Sequence, residues 1–352
     1  MSDNGRMYEL EYPAPSVEVD GRDGLAMIIA LHGYADAGQG VQQAAQHLLQ
    51  ALDHRPVATF DVDSLIDYRS RRPGVTIDRS RLVGSEDLSL ILHLLTDSAG
   101  RPFLLLAGPE PDLRWNAFTG AVAELADRLG VTRSVALYAA PMTVPHTRPL
   151  VVSAHASDPG IVSDLQSWES RMIIPGGAAL GIELRLAGAG LDTVGLTAHV
   201  PHYIAASDYP EATYGLLRAT EKVTGLELPL RALQSDMEKV RRQLAEQVED
   251  SAEIAGVVNA LERQYDNEMA RLRRQRENTL LAPGQEVPSG DEIGAEFEKF
   301  LADVSEHDAA SDSTGDDRGH GDDSGNRNNG DAGDAPRGDG DTPPDPGDDT
   351  GH

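Results

Sequence analysis

Residues Leu25–Leu31 read LAMIIAL and run directly into His32-Gly33. An uninterrupted apolar run of this length, closed by a glycine, is the pattern of a strand buried on both faces of a parallel sheet, because neither face alternates with water. Behind the turn Gly33–Gly38, residues Gln39–Leu52 carry apolar side chains at helical spacing. Val57–Val62 then supplies a second strand ending in Asp61 and Asp63. The stretch Tyr68–Arg81 is basic and reads as irregular, and Leu88–Leu95 and Pro102–Ala107 read as further strands. Asp112–Leu129 is a helix, with Asp112 as its N-cap and Gly130 as its stop.

The same alternation continues with strands Ser134–Ala139, Leu150–His155 and Asp192–His199, and with helices near Gly177–Ala189 and Tyr209–Thr224. Strands alternating with helices of about 10–15 residues predict an α/β fold with a mostly parallel sheet covered by helices on both faces, through Pro229. From Leu230 the pattern changes to long, charged segments with apolar residues at i, i+3, i+4 and i+7. Leu233–Val248 and Glu253–Arg276 read as two helices, the second with a stripe of Ile254, Val257, Val258, Leu261, Tyr265, Met269 and Leu272. The pair is expected to form an antiparallel hairpin, packed on the body or on another subunit.

Asp291–Val304 reads as a short amphipathic helix with Ile293, Phe297, Phe300 and Leu301 on one side. Beyond it Gly, Asp, Asn, Pro and Ser dominate, and no burial can offset the ordering entropy, so an acidic disordered tail is expected. The chain thus divides into an α/β domain at residues 1–229, a helical hairpin with a short helix at 230–305, and a tail at 306–352.

The 352 residues carry a formal charge of −28. From Ala309 onward twelve Asp stand against three Arg, about −9, so roughly −19 falls on the rest of the chain. That balance argues against nucleic acid or an anionic membrane as a direct partner, since phosphate neutralisation needs clustered Lys and Arg. There is no cysteine, which excludes disulfides, thiolate catalysis and Cys-based zinc sites. Met1–Pro13 hold no apolar run behind a basic patch, and no segment approaches the ~18 uninterrupted apolar residues of a membrane span. A cytoplasmic protein is the expectation.

Several stretches carry candidate chemistry. His32-Gly33-Tyr34-Ala35-Asp36-Ala37-Gly38 follows the first core strand, at the carboxyl end where open α/β sheets place their crevices. A His-Gly there invites comparison with the oxyanion loop of α/β-hydrolases, but no G-x-S-x-G elbow occurs in the chain. Equally, Asp36 can simply cap the next helix. Gly33, Gly38 and Gly40 do not follow the dinucleotide spacing G-x-G-x-x-G. Asp61-Val62-Asp63-Ser64 resembles the aspartate pair of phosphoaspartyl-forming phosphatases, although two aspartates after a strand are also common loop formers. Of the histidines His32, His146, His155, His199 and His202, the pair in His199-Val200-Pro201-His202 is spaced for shared work. Its proline gives poor metal-ligand geometry, and no metal or cofactor is expected. In Gly108-Pro109-Glu110-Pro111-Asp112-Leu113-Arg114-Trp115 the prolines stiffen the loop, Arg114 is expected to hold Glu110, and Trp115 to anchor the helix start.

Together, Gly33–Gly38, Gly108–Asp112 with Arg114-Trp115, Pro145-His146-Thr147-Arg148-Pro149, and His199-Val200-Pro201-His202-Tyr203 with Tyr209-Pro210 resemble the proteasome assembly chaperone family, in its actinobacterial branch. The resemblance spans roughly Tyr8 to Thr224. It implies a three-layer sandwich like that of phosphorylase/hydrolase proteins, homo-oligomers with a trimer among the arrangements open to them, and help in assembling proteasome α-rings for eukaryotic and archaeal members. It implies no catalytic residue. Members that dock on the proteasome ring use a C-terminal hydrophobic-Tyr-any tripeptide, whereas the sequence here closes on Asp349-Thr350-Gly351-His352. That difference speaks against docking by this route.

The expectation is therefore a non-catalytic chaperone, adaptor or scaffold for protein partners, with the helical pair supplying much of a self-association interface. The rival is a small-molecule binder or a hydrolase- or nucleoside-phosphorylase-like enzyme. Its pocket would sit at the carboxyl ends of the strands and draw on His32, Gly33, Asp36, Asp61, Glu110, Arg114, His146 and His202. That rival requires at least three of those side chains to converge within hydrogen-bonding reach. A third reading makes these loops turn chemistry alone.

Overall fold

The computed structural model describes residues 7–11, 24–86, 88–168 and 171–277. The chain opens with β1 (Tyr8–Leu10) and the buried strand β2 (Leu25–His32), then α1 (Gly40–Ala51), β3 (His54–Phe60) and the single-turn α2 (Val62–Leu65). A separate hairpin, β4 (Val75–Asp78) and β5 (Arg81–Ser85), precedes β6 (Ile91–Thr96), β7 (Pro102–Pro109), α3 (Trp115–Leu129) and β8 (Val131–Met142). Next come β9 (Val152–Ala156), β10 (Gln166–Ser167), α4 (Ala178–Gly188), β11 (Asp192–Pro201) and α5 (Pro210–Thr224). Helices α6 (Arg231–Asp250) and α7 (Ala252–Glu277) complete the series.

Nine strands form one sheet in the order β1-β3-β6-β7-β2-β8-β11-β9-β10. Its centre, β7-β2-β8-β11, is parallel, as the apolar runs imply. Towards the first edge β6, β3 and β1 each pair antiparallel with the preceding strand, and towards the other β9 runs antiparallel to β11. The expectation of a mostly parallel sheet therefore gives way to a mixed one. The reason is visible at β6 and β7: residues 97–101 joining them are too few for a crossover helix, so the chain can only turn back.

That turn is organised by Asp97, which is buried. Its carboxylate accepts N–H bonds from Ala99 (2.9 Å), Arg101 (2.8 Å) and Glu227 (2.8 Å), and an Nε–H bond from Arg101 at 3.0 Å. Burial works against its ionisation, but the N–H donors and the Arg101 guanidinium outweigh it and hold the carboxyl below the usual range.

Side chains of β2 alternate between two cores, which explains why the strand reads as apolar throughout. Ile28 and Ala30 face a cluster shared with Val41 and Leu48 of α1, Leu216 and Leu217 of α5, and Leu233 and Leu244 of α6. Met27, Ile29 and Leu31 face Phe118 and Leu125 of α3 and Ile182 and Leu186 of α4. Each fully buried large side chain contributes roughly 1.5–3 kcal/mol, so helices on both faces of the sheet are the state the sequence favours.

Helices α6 and α7 lie in the same compact unit as the sheet. They are divided only at Ser251, whose Oγ accepts the Ile254 N–H. The apolar stripe of α7 is split: Val258 and Leu261 are buried, while Ile254 and Val257 face solvent. The body holds the pair through Arg148, which bonds Asp266 with two nitrogens at 2.8 Å and Glu262 at 3.0 Å. The Tyr265 hydroxyl adds a bond to the Pro149 carbonyl at 3.0 Å.

Three expectations need correction or have no counterpart. Arg114, in a left-handed conformation (φ 56°), rather than Asp112, occupies the N-cap position of α3. The stretch 68–81 is not wholly irregular, because it contains β4 and leads into β5. The helix expected at Asp291–Val304 and the tail at 306–352 lie outside the described residues. Among the described residues no helix is long and apolar enough to cross a membrane.

Candidate functional site

All four central strands end at one edge of the sheet. α1, which follows β2, covers one face, and α3, which follows β7, covers the other. The chain therefore parts between the ends of β2 and β7, where doubly covered sheets place ligands.

The residues at this parting are held chiefly by backbone. The His32 carbonyl accepts the Glu110 N–H at 2.8 Å. Gly33 (φ 141°) leaves room for the guanidinium of Arg71, 3.3 Å from where a Cβ would stand. Arg71 in turn pairs with Asp112 at 2.8 Å, whose second oxygen accepts the Asp67 N–H at 3.0 Å. Burial, followed by the charge of Arg71, pushes the His32 imidazole below its ordinary range against an opposing pull from Glu86, so it is neutral near pH 7.

Glu110 is buried and accepts the Ala178 N–H, at the N-terminus of α4, at 2.6 Å. A carboxylate is favoured there by the helix dipole. Gly177 is needed beside it, since a Cβ would fall 2.8 Å from the Glu110 oxygen. The expected Arg114–Glu110 pair is therefore absent among the described residues: Glu110 serves α4. Trp115 does anchor the start of α3, with Nε1–H donating to the Pro111 carbonyl at 2.6 Å.

The remaining candidates lie elsewhere. Asp36 caps α1, accepting the Val41 N–H at 2.7 Å and the Gln42 N–H at 3.3 Å. Burial raises its carboxyl pKa and these two bonds lower it, the rise prevailing. Asp61 borders a groove of about 1060 Å³ with Tyr8, Asp63 and Arg128. His146 and His202 meet at Tyr203: the His146 N–H donates to the Tyr203 hydroxyl at 2.9 Å, its Nδ1 lies 2.7 Å from the same oxygen, and the His202 ring stands edge-on at 5.4 Å. His199 is engaged by Ser153 at 2.8 Å and stacked on Trp168, and burial lowers its pKa to about 4.

Of the eight candidates, then, His32, Gly33 and Glu110 meet through the backbone and His146 and His202 share a tyrosine. Asp36, Asp61 and Arg114 stand apart. No hydrogen bond or ion pair joins any two of these eight side chains among the described residues. Among the described residues no group of three His, Asp or Glu side chains is arranged to hold a metal ion.

A buried polar cluster joins His155 to two residues that motif reading did not name. The Tyr138 hydroxyl of β8 donates to Glu183 of α4, and the other Glu183 oxygen lies 3.1 Å from His155 Nε2 on β9. The Glu183 hydrogen bond raises the His155 pKa, burial lowers it, and the bond prevails. The imidazole lies against Gly195, where a Cβ would come within 2.1 Å of it. A glycine inside the apolar strand 192–201, and one acid within the helix AALGIELRLAG, were the available signals. A buried carboxylate holding a phenol and an imidazole locks α4 onto the sheet.

A second groove, of about 1080 Å³, runs between the body and the helical pair. It is lined by Arg148, Leu150, Tyr214, Met237, Arg241 and Met269 among others. Arg241 bonds Glu211 at 2.5 and 3.1 Å across one wall.

Comparison with known proteins gives consistent findings. The model of the PAC2 family matches residues 30–248. A protein of unknown function from Corynebacterium glutamicum is 51% identical, with 76% of this chain and 99% of that one covered at a TM-score of 0.73. One from Mycobacterium tuberculosis, also of unknown function, is 46% identical, with 77% and 92% covered at 0.75. A proteasome-assembly chaperone homologue from Mycobacterium tuberculosis is 29% identical, with 66% and 100% covered at 0.61. No curated protein matches the sequence.

Proposed function

The chain belongs to the PAC2 family, related to proteasome-assembly chaperones, and on that premise we propose that it is a non-catalytic chaperone, adaptor or scaffold that binds protein partners as a homo-oligomer in the cytoplasm. The observation that carries this reading is an apolar surface at the strand-end edge. The bond from Ala178 to Glu110 brings the loops entering α3 and α4 together. Leu113 and Trp115 at the start of α3, and Met172, Ile173 and Ile174 in the segment before α4, are exposed, Ile173 by 95%. Large apolar side chains left exposed on two loops that begin helices are what a protein-binding face presents. The helices on both faces of the sheet support the finer likeness to a phosphorylase/hydrolase sandwich. The enzymatic rival has less support, since no hydrogen bond or ion pair joins any two of its candidate side chains among the described residues.

Native mass spectrometry of the full chain, alone and with purified proteasome α-subunits, tests the reading. Expected are oligomers of the chain, a trimer among them, and mixed complexes that weaken by roughly tenfold when Ile173→Asp and Trp115→Ala are combined, the scale of losing anchor side chains. A chain that stays monomeric and forms no mixed complex would sink it.

A further inference from the structure

Helices α1 and α6 contribute Leu48 and Leu244 to one core. Above that contact they line a groove of about 720 Å³, which is also bordered by the single turn His202–Ile204 that follows β11. The volume falls within the ~300–1,000 Å³ of small-ligand sites. Ile204, Leu233, Val240 and Leu244 line it while being buried or half-buried, so they form an apolar floor.

The walls differ from the rest of this acidic chain in carrying amides. Five of the chain's twelve glutamines meet here. Gln43, Gln46 and Gln50 stand at i, i+3 and i+7 on α1, and Gln243 and Gln247 at i and i+4 on α6, so each set shares one helix face. Gln46, Gln50, Gln243 and Gln247 are exposed, and none of the four makes a side-chain hydrogen bond among the described residues. Gln43 only accepts the Thr213 hydroxyl at 3.5 Å. Each amide offers two N–H donors and an acceptor oxygen without bringing a charge. The charged lining is limited to Asp208, Asp236 and Lys239, none of which carries an ion pair among the described residues. His47 is occupied by the Pro229 carbonyl at 2.8 Å.

Tyr203 supplies an aromatic surface to the same groove and is 37% exposed. Its hydroxyl is taken up by His146, and the rings of His146 and His202 meet it edge-on at 5.9 and 5.4 Å. The ring is therefore fixed before a ligand arrives.

We infer that this groove binds a short neutral saccharide. A sugar ring has C–H faces and hydroxyl edges: the faces suit the apolar floor and the Tyr203 ring, and the hydroxyls, which both donate and accept, suit amides that do the same. An anionic ligand would meet one cation against two carboxylates here, and a wholly apolar one would strip water from the amides without replacing their hydrogen bonds. The groove lies on the face of the sheet that α1 and α5 cover, whereas α3 and α4, which carry the proposed protein-binding surface, cover the other. Saccharide binding is thus a property beyond the proposed function and independent of it.

Saturation-transfer difference NMR of the full chain with maltotriose, cellotriose, mannotriose and chitotriose reads the site. At least one of the four should receive saturation at its ring protons, equally at low and high salt because no ion pair is formed. Titration of that sugar should give a dissociation constant raised by roughly tenfold when Gln46→Glu and Gln243→Glu are combined, the scale of losing the donors of two hydrogen bonds. Both positions are exposed and the replacements keep their shape, so the fold is retained. Gln234→Glu, on α6 but outside the groove, should leave the constant unchanged. Four sugars without a signal would overturn the inference, as would binding that the paired Gln→Glu change does not weaken. Tighter binding of a carboxylate-bearing form of the same sugar would overturn the neutral ligand class. None of these results bears on partner binding or self-association, so the proposed function stands or falls separately.

Discussion

Strand β2 and the β4–β5 hairpin are built from similar apolar residues and meet opposite fates. In β2 every residue from Met27 to Leu31 is buried, and the side chains serve two cores at once. In the hairpin Val75, Ile77, Leu82 and Val83 serve none. The difference teaches where to look for each kind of information: β2 holds the molecule together, and the hairpin leaves its apolar side chains to solvent.

The contrast is sharpest under truncation. Ile28→Ala should cost about 2–5 kcal/mol in urea unfolding, through lost transfer energy and a cavity between well-packed neighbours. A cost below 1 kcal/mol would mean that the two cores repack freely, and the contrast would fail. Glu183→Leu comes next, at about 1–3 kcal/mol, because it leaves the Tyr138 hydroxyl buried without its acceptor. That deficit should depend on pH. The folded pKa of His155 is raised by Glu183, so the folded state holds its proton more tightly than the unfolded state does. The resulting stability is fully present below the ordinary imidazole value of about 6.5 and is lost as pH rises through the raised value. Unfolding midpoints of wild type and variant should therefore draw together between acid and mildly alkaline pH.

Burial also predicts an acid limit. His93 and His199 are held neutral, with pKa values lowered to about 4 by burial. The unfolded chain binds more protons than the folded one between about 6.5 and 4, so stability should fall as pH drops across that window. Replacing His199 with Phe, which keeps a ring against Trp168, should flatten the fall, and an unchanged slope would exclude His199 as its source. Asp36→Ala removes the cap on α1 and should cost about 1 kcal/mol. Smallest of all, Ile77→Ala should alter the stability of the isolated monomer by no more than about 0.5 kcal/mol. A larger loss would show that the hairpin contributes to folding and would blur its contrast with β2.

How much of this was legible follows the same line. Burial writes itself into sequence as runs and spacing, so β2, β8, α3 with its Gly130 stop, and the α6–α7 pair were readable, as was Asp36 as a cap. Strand direction is not periodic. It shows only in connection length, and residues 97–101 carried that information without its being read as a turn-back. The hairpin was missed because its tip is Arg79-Ser80 rather than the Asn-Gly that advertises a tight turn. Asp112 had the chemistry of a cap, but it is drawn to Arg71, a partner that only the folded chain supplies. The cluster at Glu183 joins α4, β8 and β9, and no local pattern connects positions so far apart in sequence. The candidate residues were chosen by residue type at strand ends, and type alone did not reveal which would meet.

Asp97 has a mechanical meaning beyond the turn it shapes. By accepting the Glu227 N–H it rivets the root of the helical pair to the turn between β6 and β7, while Arg148 clamps α7 to the loop between β8 and β9. The pair is thus a strut fixed at two points rather than a swinging arm. A load applied at the elbow is therefore delivered to the body at two separate places, the β6–β7 turn and the β8–β9 loop.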